Sequence, residues 1–160
     1  LDAKNITQEE SINYLKQGII NNSYYIYAIC DKVNNIHIGN IKIGPIRRSD
    51  GISDLVTVIG NQNYWKKNVA SRAIMILRKE VFLYTGIRKF VASIDSLNIP
   101  SLKAYKKAGF KIESKITNFF VHSKDHEDMF SDKIYVSFNN IEYNLDKFKN
   151  WKPIGLEDIL

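Results

Sequence analysis

The stretch from Asp54 to Asp95 constrains the fold more than any other part of the chain. "DLVTVIG" reads as a strand ending at Gly60, and "RKFVASI" reads as another. Between them, residues 69–84 place Ala70, Ala73, Ile74, Leu77 and Val81 on one face, which predicts a buried helix of about four turns. A strand, a helix and a second strand in this order predict a parallel, right-handed crossover.

The flanking segments supply the remaining elements. Residues 8–20 put Ile12, Leu15 and Ile19 on one helical face, with Thr7 as the cap. "YYIYAIC" and "IHIGNIKIG" alternate as strands around the turn-prone Val33, Asn34 and Asn35. "NIPSLKAYKKAGF" starts a short helix, since Pro100 suits a first turn and Gly109 suits a C-terminal exit. "FKIESKITNFFV" and "DKIYVSF" read as a closing antiparallel pair, and the tail from Asn144 is polar with the anchors Phe148, Trp151 and Leu156. The order is helix, three strands, helix, strand, helix, two strands. It predicts an α/β (α+β) arrangement of helices on one mixed sheet, and 160 residues suit a single domain spanning 1–160.

Composition narrows the function. The chain is 44% hydrophobic and 25% charged, the balance of a globular protein. No apolar run approaches the ~20 residues of a membrane span, so no membrane partner is expected. A lone cysteine, Cys30, excludes an internal disulfide framework and fits a reducing cytoplasm. The net charge of +6 points to an anionic partner.

Two segments can carry chemistry. "NYWKKNVASRA" sets Lys66, Lys67 and Asn68 at the mouth of a helix. Cations there are destabilising by about a few tenths of a kcal/mol each, because the helix end is itself positive. A bound polyphosphate reverses that sign, and the free N–H groups of a helix start can cradle one. A lysine pair on a loop is more often only a solvated face. In the second segment, Asn98 and Ser101 sit three apart around a helix start, where they can cap it or reach a ligand. Ser101 and Tyr105 share one face, and Lys103, Lys106 and Lys107 add positive charge.

The second segment, N-x-x-S-x-K-x-Y-x-K-x-G-F through Asn98, Ser101, Lys103, Tyr105, Lys107, Gly109 and Phe110, resembles the late motif of the GNAT superfamily of N-acetyltransferases. It is most similar to the branch acting on ribosomal-protein N-termini and nucleotide-linked amino sugars. "IGNQNYWKKNVASRAI" resembles that branch's pyrophosphate loop, and the likeness covers roughly residues 8–140. The general loop pattern, Q/R-x-x-G-x-G/A, falls on Trp65 to Ala70. Asn68 replaces its first glycine, Lys66 replaces a further glycine common in the branch, and Arg72 stands where glutamate is frequent. Asparagine is the next best residue where glycine takes a positive φ, so the loop is expected to keep its shape. The usual first strand and helix of the family are expected to be missing before Leu1.

The resemblance implies a central mixed sheet splayed into a V, flanked by helices, with acetyl-CoA as cosubstrate. Its pyrophosphate would lie on the backbone N–H groups around Trp65, Lys66, Lys67, Asn68, Val69, Ala70 and Ser71, helped by the Ser71 hydroxyl. Its pantetheine arm would run between the strand ending at Gly60 and the strand at 89–95. Asn98, Ser101 and Lys107 would hold the cosubstrate, and a backbone N–H of Val58 or Ile59 would stabilise the oxyanion. A small-molecule amine, an amino sugar in the first instance given "IHIGNIKIGPI", would attack directly. Tyr105 would protonate the departing thiolate. Asp54 is the candidate base, ahead of Asp95 and Ser93; as structure alone it is a turn acid before a strand. A homodimer is one assembly this reading allows.

Two further classes stand beside the enzyme. One is a catalytically impaired acyl-CoA-binding or regulatory module, which the replaced glycines would suit; the other is a nucleic-acid binder. Against the latter, no recognition motif is present, and the lysines near both segments have another explanation. In "HSKDHEDMFSD", residues His122, Asp125, His126, Asp128 and Asp132 cluster with no common zinc spacing, so a solvated hairpin loop is expected and no metal. His37 reads as a surface or cross-strand residue. Tyr24, Tyr25 and Phe119 read as core, with an acceptor-lining role as the alternative.

Overall fold

The computed structural model describes residues 7–21, 23–124 and 127–140. The anchors Phe148, Trp151 and Leu156, together with Asp125 and His126, lie outside the described residues. In chain order the elements are α1 (Gln8–Ile20), β1 (Tyr25–Cys30), β2 (His37–Arg47), β3 (Ile52–Ile59), a short 3-10 turn (Gln62–Tyr64), α2 (Val69–Thr85), β4 (Lys89–Asp95), α3 (Ile99–Lys107), β5 (Lys111–Lys124) and β6 (Glu127–Asn139). The expected order holds throughout.

The strands form one six-stranded sheet in the order β1-β2-β3-β4-β6-β5. Among the described strands only β3 and β4 are parallel neighbours, as the crossover through α2 requires. Their pairing covers just Ile52 with Lys89, Ser53 with Phe90, and Asp54 with Val91. Beyond that point each strand follows its other neighbour. β3 stays paired with Gly39–Ile43 of β2, and β4 stays paired with Lys133–Val136 of β6. The two halves of the sheet therefore part between β3 and β4, leaving a fork whose apex is at Asp54 and Val91.

The helix-side face of the sheet carries the core. Ile41, Ile43, Leu55, Phe90, Ala92, Ile94, Ile134 and Val136 pack there against Ile74, Leu77 and Val81 of α2 and against Tyr105, Ala108 and Phe110. Phe90 is fully buried, and such a side chain contributes about 1.5–3 kcal/mol. α2 ends at Gly86 in the left-handed region, φ 64°, where glycine carries no Cβ penalty. α3 leaves through Gly109 at φ 91°.

α1 corrects the sequence reading. Thr7 does cap it, in a reciprocal box with Glu10: Glu10 N–H donates to Thr7 Oγ1 at 3.2 Å and Thr7 N–H to Glu10 Oε2 at 2.8 Å. Yet Ile12 and Leu15 remain exposed. The helix docks instead through Gly18, where a Cβ would lie 2.1 Å from the Tyr24 ring, and through Tyr14, stacked on Tyr24 at 4.8 Å. Lys42 lies over both rings. Small and aromatic contacts leave no trace in an aliphatic periodicity.

The β5–β6 pair is longer than read. Its strands run to Lys124 and from Glu127, with Ser123 opposite Asp128, so much of the acidic "HSKDHEDMFSD" is strand.

Candidate active site

The loop between β3 and α2 is built from local hydrogen bonds. Gly60 and Asn61 N–H donate to the Ile38 carbonyl at 3.0 and 3.2 Å, and Asn61 caps the 3-10 turn through Asn63 N–H at 3.0 Å. Tyr64 Oη donates to Asp31 at 2.6 Å. Trp65, exposed itself, donates from Nε1 back to the Ile59 carbonyl at 2.8 Å and so ties the loop to the end of β3.

Lys66 and Asn68 both take left-handed backbone, each with φ 60°. These are the two positions where the resembling loop carries glycine, and positive φ is the backbone region that glycine favours. Asn68 precedes the first residue of α2, and its side chain makes no capping hydrogen bond to the helix. Its Oδ1 instead accepts from Lys107 Nζ at 2.9 Å, which brings α3 against the start of α2. The first turn of α2 holds no acid. α1 differs in having Thr7 and Glu10, and α3 in having Asn98, whose side chain accepts from Ser101 N–H at 3.1 Å. Among the described residues the amides opening α2 thus have no side-chain acceptor, while Lys66 and Lys67 precede them in the loop and Lys107 reaches Asn68. That arrangement fits a diphosphate.

Ser71 is placed otherwise than expected. It is buried, and its hydroxyl donates to the Asn68 carbonyl at 3.0 Å. The Ser71 side chain therefore locks the first turn, leaving its backbone N–H for a ligand. Val69 and Ala70 are half-buried in the same turn. Asn98 acts here as a helix cap, and Lys106 and Lys107 fall in the last turn of α3, where positive charge suits the helix dipole.

Tyr105 reaches the fork. Its side chain is 4% exposed, and its hydroxyl donates to the Leu55 carbonyl at 2.9 Å, one residue past the last β3–β4 pair. Burial pushes this phenol up to about 12, while the side chain and N–H of Thr57 pull it down. The group is therefore a proton carrier at neutral pH. Strand alternation sorts the amides. The carbonyls of Leu55 and Ile59 receive Tyr105 and Trp65 on the open side, whereas the Val58 carbonyl lies 2.3 Å from where a Gly39 Cβ would be, toward β2. Val58 is thus turned away from the fork, and the amides of Thr57 and Ile59 face it. Gly60 stands in open space at the strand end.

Asp54 is not a turn acid before the strand, since β3 begins at Ile52. It sits half-buried at the fork apex opposite Val91. Asp95 has other partners. Its carboxylate accepts from Leu97 N–H at 2.9 Å and Ser131 Oγ at 2.7 Å, and pairs with His122 Nε2 at 3.0 Å. Desolvation pushes Asp95 up, but these hydrogen bonds and the His122 charge outweigh it and hold the carboxyl below its ordinary value. Ser131 and Asp95 both contact the same His122 nitrogen. A nucleophilic relay needs opposite ring nitrogens, so this trio is structural. Ser93 is exposed on β4. His37 Nε2 meets the Gly39 carbonyl and Asn40 Oδ1 at 2.8 and 2.9 Å, a local contact at the start of β2. Tyr25 packs against the core, while Phe119 is exposed with Lys133 Nζ 4.2 Å over its ring.

Thr57 is the site residue that the sequence reading passed over. Its signal was a polar side chain in the core-facing register of "DLVTVIG", between Leu55 and Ile59.

Comparison with known proteins bears on the same residues. The family model described as Acetyltransferase (GNAT) domain matches residues 3–111. A search of curated proteins finds no match. Among solved structures, a ribosomal-protein-S5-alanine acetyltransferase from Vibrio fischeri superimposes with TM-score 0.70 at 18% identity, covering 85% of this chain and 72% of that one. A spermidine N-acetyltransferase from Vibrio cholerae in complex with CoA and spermine gives 0.73 at 16% identity, covering 86% and 78%. The dodecameric form of that enzyme in an intermediate state gives 0.73 at 15% identity, covering 88% and 78%. These names carry ribosomal protein and spermidine, not the amino sugars that the sequence favoured.

Proposed function

The chain belongs to the GNAT acetyltransferase family, and from that premise we propose that it acetylates a primary amine by direct attack at the fork between β3 and β4. Acetyl-CoA supplies the activated acetyl group and leaves as the free thiol. The observation that carries this reading is Tyr105, whose protonated hydroxyl lies at the fork apex on the Leu55 carbonyl.

Each residue then has one task. The amides of residues 66–71 and the ammonium groups of Lys66, Lys67 and Lys107 hold the diphosphate. Asn98 and Ser101 present the start of α3 to the pantetheine side, with Trp65 fixing the loop. The Ile59 N–H stabilises negative charge on the carbonyl oxygen. Tyr105 donates its proton to the departing sulfur. Asp54, half-buried at the apex, takes the proton that the amine loses, directly or through a water. The left-handed backbone at Lys66 and Asn68 favours a working loop over an impaired one.

The acceptor class is tested by thiol release over a panel of spermidine, alanine- and serine-terminal peptides, and nucleotide-linked amino sugars. Turnover of one class with saturable acetyl-CoA is expected. No calorimetric heat and no thermal shift with millimolar acetyl-CoA would overturn the reading. Heat without thiol release on any amine would return the chain to the binding-module class. A homodimer is the proposed assembly, and light scattering giving a monomer's mass would contradict it.

A further inference from the structure

Thr57 Oγ1 is buried and forms no hydrogen bond among the described residues. Buried hydroxyls nearly always have a partner, so an unpaired one asks for a reason. Thr57 stands two residues past Leu55, whose carbonyl takes the Tyr105 hydroxyl at 2.9 Å. Both the Thr57 side chain and its N–H lie near enough to the phenol oxygen to pull its pKa down. The strand explains this placement. Leu55, Thr57 and Ile59 sit opposite Ile43, Ile41 and Gly39 of β2, while pairing with β4 has ended at Asp54. The Thr57 side chain is thus on the Tyr105 face, beside the fork, and without a fixed bond.

We propose that Thr57 is a positioning residue whose hydroxyl donates to the Tyr105 oxygen as that oxygen gives up its proton, making Tyr105 a competent acid. The proposal rests on the acetyl-transfer reading above. The Tyr105 O–H bond breaks while an S–H bond forms on the departing sulfur. The negative charge left on the phenol oxygen faces the Thr57 hydroxyl. Asp54 takes the one proton that the neutral acceptor amine loses on becoming an amide and returns it, through water, to that oxygen. One thiol and one amide result, and no proton is left over. The need is chemical. Burial holds Tyr105 near 12, whereas a free thiol titrates near ~8.5, so the transfer runs uphill unless something stabilises the phenolate. The Leu55 carbonyl, an acceptor, favours the protonated form. A hydroxyl donor favours the ionised one.

The test uses Thr57→Val, which keeps shape and removes the hydroxyl, and Thr57→Ser, which keeps the hydroxyl. With 3-fluorotyrosine incorporated, fluorine NMR follows the phenols, and Tyr105→Phe identifies the Tyr105 resonance. Thr57→Val should raise its titration midpoint by roughly half a unit or more, with Thr57→Ser close to the parent. In thiol release, Thr57→Val should lower kcat roughly tenfold with KM for acetyl-CoA unchanged, Thr57→Ser should restore it, and in the Tyr105→Phe background Thr57→Val should add nothing. An unmoved midpoint in Thr57→Val, or effects that multiply in the double variant, would overturn the proposal. If Tyr105→Phe is slow and Thr57→Val is silent, only the Thr57 role falls. If Tyr105→Phe is as fast as the parent, the acid assignment falls with it.

Discussion

At the scale of single residues, the proposed reaction rests on two side chains, Tyr105 and Asn68. Tyr105→Phe removes the proton carrier but keeps the ring that packs edge-on against Phe110 at 5.0 Å. Its kcat should fall roughly 100-fold or more, with KM for acetyl-CoA unchanged; parent-like turnover would exclude the assignment. Asn68 holds φ 60° without glycine, and alanine tolerates that backbone poorly. Asn68→Ala should cost about 1 kcal/mol in urea denaturation, and Asn68→Gly should not. Tyr105 was legible through the motif from Asn98 to Phe110 that resembles the family's, since helical spacing alone gave it only a face shared with Ser101. Ser71 was only half legible. Its position in the first turn was right, but helix geometry turned its hydroxyl onto the Asn68 carbonyl, and sequence spacing does not encode that choice.

At the scale of elements, the β4–β6–β5 half of the sheet is held by carboxylates. Lys89 and then the Ser137 hydroxyl hold Glu113 below its usual range. Lys115 and then the Asn118 N–H do the same for Asp132. Asp95 is lowered as well. A carboxylate with a depressed folded pKa adds stability that is fully present above its unfolded value, about 3.9 for Asp and 4.3 for Glu. That stability is lost as pH falls through the folded value. The thermal midpoint should therefore hold above pH ~5 and drop below pH ~4, and Glu113→Gln with Asp132→Asn should flatten the drop. An unchanged acid slope in that variant would contradict this. On the other half, a Cβ at Gly39 would lie 2.3 Å from the Val58 carbonyl. Gly39→Ala should part β2 from β3 and cost about 1–3 kcal/mol by thermal melting. The sequence located these strands through alternation and turn residues. It missed the true reach of β6 because Glu127, Asp128 and Ser131 are strand residues with polar side chains. It misjudged α1 because Gly18 and Tyr14, not Ile12 and Leu15, make the contact.

At the scale of the molecule, one division of the sheet organises everything. β3 is loyal to β2 and β4 to β6, so a fork opens between them. α2 brings uncapped amides to one side of that fork, and α3 brings Tyr105 into it. Lys66 and Lys67 precede the start of α2, and Lys107 reaches it through Asn68. The order of elements and the parallel crossover from Asp54 to Asp95 could be read from the chain, whereas the fork was implied only by the family resemblance, because a crossover does not fix where β3–β4 pairing stops. The acceptor could not, since no motif in the chain specifies it. The most direct measurement is a crystal structure of this chain with CoA. The account predicts the diphosphate on the amides of residues 66–71 and the sulfur within hydrogen-bond reach of Tyr105 Oη. A fork still empty at saturating CoA, or a sulfur bound away from Tyr105, would contradict it.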